Sequence, residues 1–211
     1  MNSSRRGGAR ARTKASDVRR RDLMDAGERT FIRKGVGATT IDDITRGAGV
    51  AKGTFYLYFE SKEDLLLALR DRFAEGCRDR IDSVEKPLAA TDWAGRLDAW
   101  VEGGIQQYLD NAALHDVLFR GGQQACPSKA QNELASEFEE LIRAGAAAGA
   151  WHAESPEVVS IFLFYALHGI VDYILSSRQD RKAVIRLSQK IVRNTLGLST
   201  KPGSRQTIKR S

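Results

Sequence analysis

Five polar side chains within one short stretch could read a nucleic acid: Lys52, Thr54, Tyr56, Tyr58 and Lys62. A lysine ammonium pairs with a phosphate or donates to guanine O6 and N7. A threonine offers a base its hydroxyl or its methyl, and phenols donate to phosphates. Gly53 has no side chain, so a helix start there can approach a DNA backbone closely. Lys62 comes directly after Ser61, and the free N–H groups of a helix N-terminus suit a phosphate. No acidic side chain interrupts the run from Ala51 to Phe59.

Two short helices around a tight turn must hold these groups. Thr40 stands three residues before Asp43, a capping-box pattern that satisfies free N–H groups at a helix start. Ile41 and Ile44 share one face. Gly47 and Gly49 break the helix, and Gly49 can take the left-handed conformation that ends one. The next helix runs from about Ala51 to Tyr58. It turns Lys52, Thr54, Tyr56 and Tyr58 outward, and Phe55 and Phe59 inward. Ser61 with Asp64 repeats the capping box. A helix, a turn and a short exposed helix form an arrangement that can enter a major groove. With Thr40 at its start, the expected DNA-binding set is Thr40, Lys52, Gly53, Thr54, Tyr56, Tyr58 and Lys62.

The run AGVAKGTFYLYFESKEDLL resembles the DNA-binding domain of the tetracycline-repressor (TetR) family. The likeness covers roughly residues 18 to 70. It rests on the Ala-Gly-Val turn, Lys-Gly-Thr, the Phe-Tyr-x-Tyr-Phe run and the Ser-Lys-Glu-Asp-Leu start, in order and at the usual spacing. Thr45, Thr30 and Gly27 depart from the usual Ala, Leu and Ala, and all three lie on or near packed faces. The resemblance implies an all-α chain of about nine helices. An N-terminal three-helix helix-turn-helix domain precedes a larger helical ligand-binding and dimerisation domain.

Charge agrees with a polyanion partner. Residues 1 to 62 hold 14 Lys and Arg against 7 Asp and Glu, and the remainder holds 19 against 20. The basic excess thus coincides with the helix-turn-helix. Residues 1 to 16 carry five basic side chains, no acid and almost nothing apolar. They read as a disordered basic arm, either a solvated tail or a segment that tracks phosphates. Residues 17 to 62 form the DNA-binding domain, and a fourth helix, 62 to 84, connects it to the larger domain. Residues 85 to 198 form the effector-binding and dimerisation domain, and 199 to 211 a disordered tail.

The second domain reads as helices alone. Ser155-Pro156 is a strong start signal, a cap residue with proline next to it at the first helical position. The helix from 156 to 176 is apolar almost all round. Its stretch Val158 to Leu175 is short for a bilayer span and interrupted by Ser160, His168 and Asp172, so it reads as a buried helix. The resemblance implies a homodimer through this helix and the last one, 180 to 196. It also implies a small-molecule site among the middle helices. Trp100, Tyr108, Phe119, Phe138, Phe164 and His168 are its candidate lining, suited to a hydrophobic or aromatic effector. Ordinary core packing is the competing account of each.

Other chemistry is poorly supplied. His168 and Asp172 lie four apart and can hydrogen-bond, but a metal site needs more ligands. Cys77 and Cys126 show no framework spacing, which fits a reducing cytoplasm, and no basic neighbour pattern of the kind that activates a thiol. No signal-peptide core opens the chain. No G-x-S-x-G, H-E-x-x-H, P-loop or dinucleotide fingerprint occurs, and no cofactor is implied. The expectation is a regulator that binds a palindromic double-stranded operator as a dimer and leaves it when an effector binds, not an enzyme. An effector-independent DNA-binding structural or interaction protein is the alternative.

Overall fold

The computed structural model describes residues 4–120 and 128–198; for residues 4–15 and 120 it describes the backbone only. The helices are α1 (Ser4–Lys34), α2 (Ile41–Gly47), α3 (Lys52–Phe55), α4 (Lys62–Glu85), α5 (Trp93–Asp110), α6 (Ala112–His115), α7 (Lys129–Ala147), α8 (Pro156–Ser176) and α9 (Arg181–Thr195). A π-helical turn, Asp116–Arg120, comes directly after α6. No strand occurs among the described residues.

Helix α1 begins at Ser4, over residues that the composition assigns to an arm without structure. Within residues 17–34, Leu23, Met24, Ala26 and Phe31 are buried. Propagating an existing helix adds one hydrogen bond per residue fixed, so the extension costs little. The expected tail, 199 to 211, and Cys126 lie outside the described residues.

The chain divides into two compact units, residues 1–76 with 110–132, and residues 77–109 with 133–211. In the first, Leu23, Phe31, Ile44, Phe55, Leu65 and Leu69 are fully buried. Ile41 and Val50 are only half-buried. Gly27 sits where a Cβ would meet Leu65 Cδ2 at 2.6 Å, so the close approach of α4 favours glycine there. The hydroxyl of Thr30 donates to the Ala26 carbonyl at 2.7 Å, and that of Thr45 to the Ile41 carbonyl at 3.1 Å. Both polar departures are thereby satisfied inside the packed face.

Residues 110–132 join this unit through side-chain-to-backbone contacts. The buried Arg70 donates from Nε and Nη2 to the Leu118 carbonyl, at 3.1 and 2.7 Å. Asp71 accepts from the Ala130 N–H at 2.9 Å. Burial lowers the pKa of the Arg70 guanidinium.

In the second unit, Leu97, Val101 and Ile105 of α5 meet Phe138 and Ile142 of α7, Leu163 and Val171 of α8, and Val184 and Val192 of α9. Trp151 donates its indole N–H to the Ile142 carbonyl at 2.8 Å. Arg193 and Asp98 pair at 2.7 Å. Ser155 caps α8 and Pro156 opens it, as the sequence predicts.

Helix α8 is covered by its own chain on one side. It is long and apolar enough, by length and composition, to cross a membrane. In the single chain only one face is buried, through Ser160, Leu163, Val171 and Ile174. Val158, Ile161, Phe162, Tyr165 and Tyr173 are exposed, Tyr165 by 70%. Hydropathy marks a helix as apolar but does not say whether its own chain covers it.

Candidate nucleic-acid interface

The turn that aims the exposed helix is built from local chemistry. Thr40 Oγ1 accepts from the Asp43 N–H at 3.2 Å, and an Asp43 carboxylate oxygen accepts from the Thr40 N–H, also at 3.2 Å. This reciprocal capping box fixes the start of α2. Lys34 Nζ donates to the same carboxylate at 2.8 Å. That hydrogen bond, and after it those from Thr40, hold the Asp43 carboxyl far below the usual range. Gly49 has φ +66°, and the Val50 N–H then donates to the Thr45 carbonyl at 3.0 Å.

Helix α3 is anchored by Phe55, which is fully buried. Its ring lies 5.6 Å from that of Phe59, and Tyr56 meets it edge-on, also at 5.6 Å. The anchor leaves Lys52, Gly53, Tyr56 and Leu57 exposed and Thr54 and Tyr58 half-buried. A Cβ placed on Gly53 would meet nothing within 4 Å, so the approach to this helix is open. Lys52 pairs with Asp42 at 3.0 Å. Their hydrogen bond raises the Lys52 pKa.

The seven expected residues thus separate by what their polar atoms do. Lys52, Gly53 and Tyr56 form an open edge, flanked by Thr54 and Tyr58. Thr40 spends its hydroxyl on Asp43, to which it also donates at 2.9 Å. Lys62 donates to the carbonyls of Val36 at 2.7 Å and Thr39 at 3.0 Å, which ties the start of α4 to the loop before α2. Sequence reasoning missed Leu57, exposed by 77%. Two residues past Phe55, it points away from the anchored side. Its separation from Phe55 could have shown this.

Of the six expected effector residues, Tyr108, Phe164 and His168 meet one another and Trp100 meets Phe138. Trp100 stacks on the buried Phe138 with ring centroids 4.9 Å apart, in the second unit. Tyr108 and Phe164 surround His168, at 4.7 and 4.4 Å. His168 Nδ1 lies 2.8 Å from the Phe164 carbonyl oxygen. Phe119 belongs to the first unit, against Phe73 at 5.6 Å and beneath Arg70. Helical spacing places aromatic residues on a face but does not say which helix that face meets. A cleft of about 280 Å³ lies among α4, α5 and α7 in the second unit, and of the six only Trp100 lines it. Among the described residues no cluster of three or more His, Cys, Asp or Glu could hold a metal ion. Burial pushes the Cys77 thiol up to about 12.

Residues 23–69 match the profile of bacterial regulatory proteins of the tetR family. That stretch is similar to the DNA-binding region of TetR-family regulators. The regulator EthR of Mycobacterium tuberculosis is 30% identical over 118 residues, 56% of this chain and 53% of EthR. The chain spans about half the length of the curated relatives it matches. Two solved structures share its fold. A TetR-family regulator from Syntrophomonas wolfei has a TM-score of 0.72 at 19% identity, over 89% of this chain and 99% of that one. FadR from Bacillus subtilis, solved with stearoyl-CoA, has a TM-score of 0.68 at 18% identity, over 84% and 98%.

Proposed function

We propose that this chain is a cytoplasmic DNA-binding transcriptional regulator of the TetR family that acts as a homodimeric repressor and leaves its operator when a small molecule binds. The exposed edge of Lys52, Gly53, Tyr56 and Leu57, fixed from behind by the buried Phe55, carries the reading. An open helix with a cation, a phenol and no acid of its own suits a major groove.

Two copies would present two such edges to successive grooves, roughly 34–36 Å apart, on a palindrome. The uncovered side of α8, with Leu187 and Ile191 of α9, supports that assembly. An exposed apolar surface of this kind is a natural contact for a second copy.

Release requires that the effector bind the DNA-incompetent arrangement better. By linkage, operator DNA then lowers effector affinity by the same factor. A neighbour of the same fold, solved in complex with stearoyl-CoA, supports a small-molecule ligand.

The test is selection of a duplex from a random pool, then footprinting and titration. The expected result is one protected palindrome. Equal affinity for that duplex in the wild type and a Thr54→Ala, Tyr56→Ala double variant would refute the assignment of the edge.

A further inference from the structure

We infer that the cleft among α4, α5 and α7 takes a planar organic cation, an inference that rests on the effector reading of the second unit. Its floor is apolar, formed by Ile81, Leu134 and Leu141, with the Trp100 indole at one side. Trp100 is only half-buried, so part of its ring is available to a ligand. Phe138, stacked behind it, holds the indole plane in place.

The walls carry Arg78 and Arg96 against Asp82, Glu85, Glu137 and Glu140. Both arginines are already answered. Arg78 Nε lies 3.0 Å from each Glu137 carboxylate oxygen, and Arg96 Nε lies 2.5 Å from Glu85. Their charges cancel in place, which leaves Asp82 and Glu140 as the surplus. Glu140 has Arg143 at 2.9 Å, but Arg143 also serves Glu139 and does not line the cleft.

These features select a ligand class. A cation placed over an indole face is attracted by the ring quadrupole, and two nearby carboxylates add to that attraction. A flat hydrocarbon body fills the apolar floor. An anion meets four carboxylates against two arginines in this lining, and each arginine already faces a carboxylate. An acyl-CoA, which carries several phosphate charges, is therefore a poor occupant despite the example of a same-fold neighbour.

The experiment compares three probes on the full chain by calorimetry and tryptophan fluorescence, without DNA: N-methylphenanthridinium, uncharged phenanthridine and stearoyl-CoA. The cation should bind about tenfold or more tightly than the neutral ring. Asp82→Asn with Glu140→Gln should remove most of that preference, and Trp100→Leu should weaken the cation more than the neutral ring. Thermal melting of each variant checks that it is folded, and the wild-type probe comparison needs no variant. Equal binding of charged and neutral rings, tighter binding of stearoyl-CoA, or no cation binding at millimolar concentration would each overturn the inference. Repeating the titration with the selected duplex separates the two claims. Cation binding that leaves duplex affinity unchanged would uphold the site and sink the effector-release reading.

Discussion

Lys52 Nζ lies 3.0 Å from Asp42 Oδ1, so the first cation of the exposed helix is held by a carboxylate on the helix before it. Both side chains are more than half exposed, and the pair contributes little to folding. Its consequence is for binding, because a phosphate must compete with Asp42 for the ammonium. Asp42→Asn should tighten duplex binding by about two- to fivefold at low salt, the scale of a released surface pair. Lys52→Ala should weaken it and reduce the slope of log affinity against log salt by about one. Fluorescence anisotropy over a salt series measures both.

Thr54 and Tyr56 should fail differently. Tyr56→Phe removes a donor to the backbone and weakens binding to every sequence. Thr54→Ala alters which bases are preferred, by about 1–3 kcal/mol at the affected position. Selection repeated with each variant distinguishes a lower overall yield from a changed consensus.

Lys62 should behave as a structural residue. Its ammonium satisfies two carbonyls of the loop at Val36 and Thr39. Lys62→Met leaves them without that donor and should destabilise the first unit by about 1–3 kcal/mol. Urea unfolding gives the loss. The salt slope of duplex binding should fall by clearly less than the roughly one unit that loss of a direct phosphate contact gives.

The helix-turn-helix was legible because its determinants are local. The capping residues, the left-handed glycine and the Phe55–Phe59 pair lie close in sequence and act on near neighbours. The pairing of Lys62 with Val36 and Thr39 spans more than twenty residues, and no pattern announces it. The same holds for Arg70 and Leu118, which bring residues 110–132 into the first unit. The aromatic residues of the second domain were found, but which neighbour each one meets, such as Trp100 against Phe138, was not. The apolar character of α8 was equally plain, and which residues lie on its uncovered side was not.

That uncovered side yields a prediction for assembly. Tyr165→Asp with Phe162→Asp should abolish the dimer, with a rise in its dissociation constant of about a hundredfold or more, since aromatic residues dominate such contacts. Sedimentation equilibrium reads the change. A wild type that stays monomeric at high concentration would remove the basis for the two-headed grip.

Asp43 should give the first unit an acid sensitivity. Hydrogen bonds from Lys34 and Thr40 depress its carboxyl below the ordinary 3.8. A depressed carboxyl stabilises the fold above that value and loses the contribution as pH falls below it. Asp43→Asn should therefore lower the melting temperature at neutral pH, and the gap to the wild type should close on acidification. Paired calorimetric scans across the acid range show whether it does.

A cation whose donors are spent on carbonyls still radiates a field. Lys62 needs no touch to draw in a polyanion: at physiological ionic strength its pull extends over roughly 8 Å before counter-ions mask it. One ammonium can thus fasten a loop and hasten the first encounter with a duplex, and only the second effect fades when salt is added.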